Sequence, residues 1–352
     1  MKRLVVLILM AALLLSGCSA WLDGEYHSVK PHAFEGAKLS DDIVKVSSYF
    51  ELRSALLEMV NSGSQQSTFY ITGFGLDAVD QYMNAAVMYV FENSAIGAYA
   101  VDAIDFECGT SGGNPAIAVD ISYIHGRQEI LRIKNTTNMD EVKSIISAAL
   151  SNCDASTVIK VQNYEDLDVE LFVQEYVNAN PHLCMQLPQV SASIYPEEGN
   201  ERVLEISFTY QISRDTLRTM QNTIAPIFSA AELYVQSSDS ESQKYEQLYS
   251  FLMERFDYKI ETSLTPAYSL IRYGVGDSSA FARVYSTMCR NADLYCSVVS
   301  GTKNGEAYHW NIIRYDGTDY HVDLLECSEA GEFVVMVPEM MDGYVWDYSG
   351  YQ

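Results

Sequence analysis

The sequence is short of positive charge. Its 352 residues include 22 lysines and arginines against 47 aspartates and glutamates, which gives a formal net charge of −25. A surface this acidic repels the phosphate backbone of nucleic acids and anionic lipid headgroups. The charge therefore argues against nucleic acid as a partner.

A long hydrophobic run is also missing, and so is any low-complexity segment. The composition, 48% hydrophobic and 20% charged, is that of a globular protein. The chain is long enough for two or three domains. Its one marked apolar run, Leu4 to Leu15, is shorter than the roughly 20 residues that a membrane-spanning helix needs. A run of this length is typical of the core of a signal peptide.

The apolar run leads into a candidate lipidation site. Lys2 and Arg3 precede it, and "LLLSGC" ends it at Cys18. This segment resembles a bacterial lipobox, in which the signal peptide, here residues 1–17, is removed and the new terminal cysteine receives lipid chains such as palmitate. The resemblance predicts a protein that its lipid holds at the extracytoplasmic face of the cell membrane, with residues 18–43 as a tether. The alternative is an ordinary secretory signal with a chance cysteine.

No Cys-x-x-Cys motif occurs in the sequence. An even number of cysteines remains once Cys18 is set aside, so disulfides are permitted in an exported protein, and the sequence does not choose among their pairings. Most of these cysteines stand in apolar surroundings, which favours buried free thiols. They are Cys108, Cys153, Cys184, Cys289, Cys296 and Cys327.

Two segments in the first two thirds of the chain resemble each other at a constant offset. "AIAVDISYIHGR" alternates apolar and polar residues as a half-buried strand does, and "RVLEISFTYQISR" repeats the pattern with Arg127 matched to Arg214. We predict two α/β repeats of the form β-α-β-β-α, at residues 44–153 and 154–236, that act as an interaction or scaffold region. Coincidental alternation is the alternative. The first repeat should begin with a helix capped by Ser48.

A carboxy-terminal domain is predicted over residues 244–352, after a polar segment at 236–243. In "YGVGDSSAFARVY", small residues lead into a helix whose N-cap is Asp277 or Ser278. The apolar stripe of this helix consists of Phe281, Val284, Tyr285 and Met288. The strand-rich segment "AYHWNIIRYDGTDYHVDLL" then predicts a β-hairpin.

The register of this hairpin decides whether His309 can meet Asp323. A two-residue loop, Asp316 and Gly317, would place the two side chains on opposite faces of the hairpin. A three-residue loop that begins at Tyr315 would place them opposite each other, about 5 Å apart at Cβ, where a carboxylate can hold an imidazole. We predict the three-residue loop and a His309–Asp323 pair.

Taken in order, these segments resemble the transglutaminase-like superfamily, which shares its core with papain-type thiol enzymes. Family members carry "GVC.GYA" before a helix, then "V.G", "HAWN" and "dG.WyhvD". Between about residues 244 and 325 this chain carries "GVGDSSAFA", "VVSG", "YHWN" and "DGTDYHVD" in the same order. The resemblance implies an α+β fold with a papain-like core and a Cys-His-Asp triad. His309 and Asp323 match two members of the triad, and Ser278 takes the place of the cysteine.

Serine at this position changes the chemistry. A helix N-terminus and a histidine can lower the pKa of a thiol from about 8.5, but they cannot ionise a hydroxyl. Ser278 could attack a substrate only if His309 removed its proton during the step. We therefore favour an inactive domain, a pseudoenzyme, that binds a peptide, protein or cell-wall ligand.

Two alternatives remain open for the whole protein. One is an active serine variant that hydrolyses or transfers acyl groups of peptide amides through Ser278, His309 and Asp323. The other is a scaffold in which the repeats matter and the last domain only supports them.

Two further types of site fit the residues less well. "GDSSA" matches the nucleophile motif of α/β-hydrolases, but that fold needs a strand before the serine and an aspartate before the histidine. His309, His321 and Asp323 lack the spacing of zinc ligands. No metal or other cofactor is predicted.

Overall fold

The computed structural model describes residues 44–254 and 259–347. The predicted signal peptide, the lipidation site at Cys18 and the tether lie outside these ranges. The chain divides into two compact units, Met1–Arg132 and Ile133–Gln352. Each helix within the described ranges is too short or too polar to cross a bilayer.

The first unit contains a four-stranded sheet in the order β1-β2-β4-β3. β1 runs parallel to β2, and the other pairs are antiparallel. Its elements are β1 (Val44–Val46), α1 (Tyr49–Ser62), β2 (Gln66–Ile71), α2 (Val79–Asn93), α3 (Ala95–Ala100), β3 (Val101–Ser111), β4 (Asn114–Tyr123) and α4 (Arg127–Ile130).

The second unit begins with a sheet of the same design, in the order β5-β6-β8-β7. β5 runs parallel to β6, and the other pairs are antiparallel. The elements of this part are β5 (Lys134–Thr136), α5 (Met139–Ser151), β6 (Ser156–Val161), α6 (Val169–Ala179), β7 (Gln189–Tyr195), β8 (Arg202–Thr209) and α7 (Arg214–Tyr234).

The two repeats have the same order of strands and main helices, and this order and its boundaries differ from those we predicted. Each repeat reads β-α-β-α-β-β, with the additional short helix α3 before β3 in the first, because a three-residue strand and a helix precede its first long strand. The sequence assigned α5 to the end of the first repeat, whereas β5 and α5 open the second, in which β5 pairs with β6. The expected boundary after residue 153 thus falls inside the second repeat, and the compact units separate at Arg132 and Ile133.

The two repeats also agree in local detail, at positions ninety residues apart in their first halves. Glu51 and Glu141 each accept the backbone N–H of the residue four positions earlier, at 2.7 and 2.8 Å. Gly63 and Cys153, just past the ends of α1 and α5, both have left-handed backbones with φ of 65° and 53°. Ser48 caps α1 as expected, since its hydroxyl accepts the N–H of Glu51.

The remainder of the second unit surrounds one central helix, α10. An antiparallel sheet in the order β13-β12-β11-β14 packs on it. The elements are α8 (Glu241–Met253), β9 (Lys259–Ile260), α9 (Pro266–Tyr273), β10 (Val275–Gly276), α10 (Ser278–Asn291), β11 (Cys296–Lys303), β12 (Glu306–Tyr315), β13 (Thr318–Val322), α11 (Leu324–Ala330) and β14 (Tyr344–Trp346).

Helix α10 is the core of this domain, as its apolar stripe predicts. Phe281, Tyr285 and Met288 are at most 1% exposed, and each such side chain contributes about 1.5–3 kcal/mol by burial. The Tyr285 hydroxyl donates to the backbone oxygen of Tyr245 on α8 at 2.9 Å. The packing of α10 therefore fixes the position of its first residue, Ser278.

Candidate functional site

Ser278 lies at the first position of α10, beside strand β12. The carboxylate of Asp277 caps the helix by accepting the N–H of Ala280 at 2.9 Å, so the N-cap is Asp277. The Ser278 hydroxyl oxygen accepts the backbone N–H of His309 at 3.2 Å. The contact that holds the serine is thus made by the main chain of His309, not by its imidazole.

The hairpin that carries His309 has a two-residue turn. Tyr315 pairs with Thr318, and Asp316 and Gly317 have φ of 52° and 74°. Positive φ at both turn positions is the type I′ geometry, which Asp-Gly adopts readily and which matches the twist of the strands. The predicted three-residue loop is therefore wrong.

The shorter turn separates the two residues that the sequence placed opposite each other. Asn311 pairs with Val322, so His309 shares the face of Asn311, and Asp323 points to the other face. The face with Asn311 packs on α10, since the Asn311 amide donates to the backbone oxygen of Ala282 at 2.9 Å. The predicted His309–Asp323 pair does not form in the structure.

Asp323 is held by other side chains. The Tyr308 hydroxyl donates to its Oδ1 at 3.1 Å, and the Tyr344 hydroxyl donates to its Oδ2 at 2.6 Å. The Lys303 ammonium donates to the same Oδ2 at 3.0 Å. Tyr308 reaches Asp323 because the observed register places both side chains on one face of the hairpin.

Backbone donors complete the shell around this carboxylate. Asp323 caps α11, and its Oδ1 accepts the N–H groups of Leu325 and Glu326 at 3.0 and 3.3 Å. The residue is 1% exposed. Five donors on two buried oxygens leave no position from which the carboxylate could orient an imidazole.

The family motif accounts for the role of Tyr308. When "YHWN" is aligned with "HAWN" on the shared tryptophan and asparagine, Tyr308 takes the place of the histidine and His309 takes that of the alanine. Sequence reasoning matched the histidines by type and so missed Tyr308 by one residue. The two motifs share their last two residues, which are Trp310 and Asn311 here. This shared pair was the signal that could have identified Tyr308 as the residue in the histidine's place.

Lys303 balances the charge of Asp323. Its ammonium lies 4.8 and 5.1 Å from the ring centres of Tyr308 and Tyr344 and also donates to Glu326. Burial by itself would lower the pKa of Lys303, but the hydrogen bonds to Glu326 and Asp323 outweigh it and raise that pKa. The lysine therefore stays charged, and the buried carboxylate belongs to a satisfied ion-pair network.

Tyr308 cannot replace a histidine in proton transfer. Burial raises the pKa of its hydroxyl, and the negative charge of Asp323 raises it further. At neutral pH the phenol is a proton donor with its hydrogen directed at Asp323. A general base must accept a proton from the nucleophile, and this group has none of the required basicity.

The imidazole of His309 has a different environment from that of a triad histidine. Burial lowers its pKa, nearby Arg283 lowers it further, and Asp277 opposes the shift. Within the described ranges, no hydrogen bond joins the imidazole to Ser278 or Asp323. No carboxylate therefore fixes the orientation of this ring as in a catalytic triad.

His321 is a packing residue of the opposite face. Its Nδ1 accepts the indole N–H of Trp310 at 2.9 Å, and its ring packs edge-on against Trp346. It does not converge with His309. Among the residues that the structure describes, no group of three histidine, cysteine or carboxylate side chains could hold a metal ion.

The gap at the triad positions is narrow, although Ser278 and His309 are each partly exposed. The gap that Ser278, His309 and Asp323 line, together with neighbouring residues of α10 and α11, has a cavity volume of about 0 Å³ for a water molecule. The structure thus brings together Ser278 and the His309 backbone, and separately Tyr308 and Asp323.

Comparison with known proteins identifies the domain. A family model described as the transglutaminase-like superfamily matches residues 229–334. No curated protein matches the chain. Two solved structures resemble it at 12% identity: a TGase (TM-score 0.25, covering 61% of this chain and 62% of that one) and a candidate protease from Parabacteroides distasonis (TM-score 0.24, 47% and 39%).

The chain spans less than two thirds of the length of either of these structures. Their TM-scores are too low to support an argument about the fold, so the assignment depends on the family match. The chain is an α+β protein whose residues 229–334 form a transglutaminase-like domain.

Proposed function

We propose that the transglutaminase-like domain is catalytically inactive and binds a peptide, protein or cell-wall ligand. The observation that carries this proposal is the hydrogen bond from Tyr308 to Asp323. The family's histidine would bridge nucleophile and carboxylate, and here a neutral phenol occupies its place in the motif. Nucleophile and base have thus both been replaced, by Ser278 and Tyr308.

Replacing both the nucleophile and the base reduces catalytic activity more than replacing either one alone. A serine needs a general base more than a cysteine does, because its hydroxyl does not ionise at neutral pH. In this domain the base is missing at the position where it would act. A serine nucleophile without a base supports no acyl transfer.

The proposal includes attachment to a membrane. The lipobox-like segment ending at Cys18 supports an exported protein that lipid chains hold at the extracytoplasmic face. A binding domain in that location would meet ligands outside the cytoplasm.

Labelling with a fluorophosphonate probe tests the inactivity. The full-length chain and a Ser278→Ala variant are exposed to the probe, with an active serine hydrolase as a positive control. We expect no labelling that depends on Ser278, because no base activates the hydroxyl. Labelling of the parent chain that disappears in Ser278→Ala would establish the active serine variant instead.

A further inference from the structure

Two adjoining cavities line the side of α10 that faces α6 of the second repeat. Their volumes are about 310 and 500 Å³. Asn178, at the end of α6, and Arg283, on α10, line both cavities, so the two share this pair as a common wall. We call them together the Arg283 groove. None of its lining residues is Ser278, His309 or Asp323.

Arg283 lies between the two cavities, and no carboxylate of the described ranges forms an ion pair with it. Its guanidinium is half-buried and donates to the side-chain oxygen of Asn178, which is neutral. The ion pairs found among the described residues all use other cations. Burial lowers the pKa of Arg283, and the charge of Asp277 only partly opposes this. A desolvated guanidinium with free donors favours an incoming anion.

The larger cavity adds to the positive charge. Arg290, two turns along α10 from Arg283, lines its wall and donates to the backbone oxygen of Ala179. Glu175 is the one carboxylate among the lining residues of this cavity, and it forms no ion pair with either arginine in the described structure. Two arginines that form no ion pair within the described ranges are a strong local feature in a chain with a net charge of −25.

The smaller cavity has an apolar wall. Met185, Leu187, Leu264 and Pro266 line it, and Leu187 and Leu264 are 48% and 55% exposed. A pocket of this composition fits an aliphatic side chain beside the charged centre. The carboxylate of Asp277 and several polar side chains also line the smaller cavity. The groove therefore presents an apolar wall beside the guanidinium of Arg283 and, beyond it, a polar cavity with a second cation.

We propose that the Arg283 groove binds an extended peptide whose glutamate or aspartate side chain pairs with Arg283, with an aliphatic neighbour in the smaller cavity. A planar guanidinium holds a carboxylate through two parallel hydrogen bonds, which gives this position its specificity. The proposal rests on the proposed function, since it names the ligand class of an inactive binding domain and the place where that ligand binds.

The test compares two pools of acetylated pentapeptides, one with glutamate fixed at the centre and one with glutamine, with the flanking positions varied equally. The full-length chain is immobilised, and retained peptides are measured by mass spectrometry. We expect the parent chain to retain the glutamate pool at least about tenfold better than the glutamine pool, because a charge-assisted pair is lost in the latter. Retained peptides should be enriched in aliphatic residues next to the glutamate.

Two variants locate the effect. Arg283→Met keeps the length of the side chain and should abolish the preference for glutamate. Asn178→Asp leaves the arginine in place but gives it an internal carboxylate partner, so it should also weaken the preference for glutamate. Because this variant keeps the arginine and barely changes side-chain size, its effect cannot be attributed to unfolding caused by removal of Arg283. Arg132→Met, at an exposed arginine of the first unit, should behave as the parent chain does.

Equal retention of the two pools by the parent chain would overturn the proposal, and so would retention of neither pool. A glutamate preference that survives in Arg283→Met would also overturn it. These failures leave the proposed inactivity in place as long as Ser278 stays unlabelled by the fluorophosphonate. Labelling of Ser278 would overturn the proposed function whatever the groove binds.

Discussion

At the scale of single residues, the chemistry of the domain depends on Tyr308 and Asp323. A buried carboxylate needs donors, and Asp323 receives them from Tyr308, Tyr344, Lys303 and the first turn of α11. In a catalytic triad that carboxylate would hold an imidazole instead. The same acidic residue that serves catalysis in the family thus serves stability here.

The structural role of Tyr308 can be measured. Tyr308→Phe removes one donor from a buried carboxylate while the ring remains, so we expect a loss of about 1–3 kcal/mol in the free energy of unfolding. Urea unfolding of the full-length chain gives this value through the shift of its midpoint. Tyr273→Phe is the matched control, because Tyr273 is 63% exposed and should tolerate the change. A Tyr308→Phe variant as stable as the parent would contradict the structural role.

At the scale of elements, the sequence predicted the strands and helices whose apolar residues recur with a clear period. The long strands β4 and β8 follow from alternating apolar residues, and α10 follows from its stripe and its Asp277 cap. The residues at which each repeat begins and ends could not be predicted from the sequence, because the opening strands β1 and β5 have only three residues each. Such strands have no readable period, and their parallel pairing with β2 and β6 is decided by tertiary contacts.

The hairpin shows a second limit of sequence reasoning. Asp316-Gly317 fits both a two-residue and a three-residue loop, since a glycine in the left-handed region occurs in each. The two choices differ by one residue of register, which moves every following side chain to the other face. That single difference decides whether His309 or Tyr308 meets Asp323, and local pattern alone did not resolve it.

At the scale of the whole molecule, two similar α/β repeats and a transglutaminase-like domain follow one another along the chain. The second repeat and the domain lie in one compact unit, and the Arg283 groove runs between them. The binding surface that we propose therefore depends on both, which gives the second repeat a function beyond that of a spacer.

The proposed membrane attachment predicts a covalent modification. Cells that express the full-length chain are grown with an alkyne analogue of palmitate, and the purified protein is tested for the label. We expect labelling of the parent chain and none of Cys18→Ser, because the lipobox cysteine is the acceptor. Cys108→Ser is the matched control and should be labelled normally. A label that persists in Cys18→Ser would show that this cysteine is not the lipidation site.

The central claim is that Tyr308, not His309, occupies the position of the catalytic base. The most direct measurement is the pKa of a thiol introduced by Ser278→Cys, obtained from the absorbance of the thiolate as a difference from the parent chain across pH. The N-terminus of α10 acts on this thiol in every variant, so the difference between variants is decisive: adding Tyr308→His should lower the thiol pKa by at least about one unit relative to Ser278→Cys alone, and adding His309→Gln instead should leave it unchanged. A pKa already well below the ordinary value in Ser278→Cys alone, restored to it by His309→Gln, would show that His309 is the base and would contradict the account.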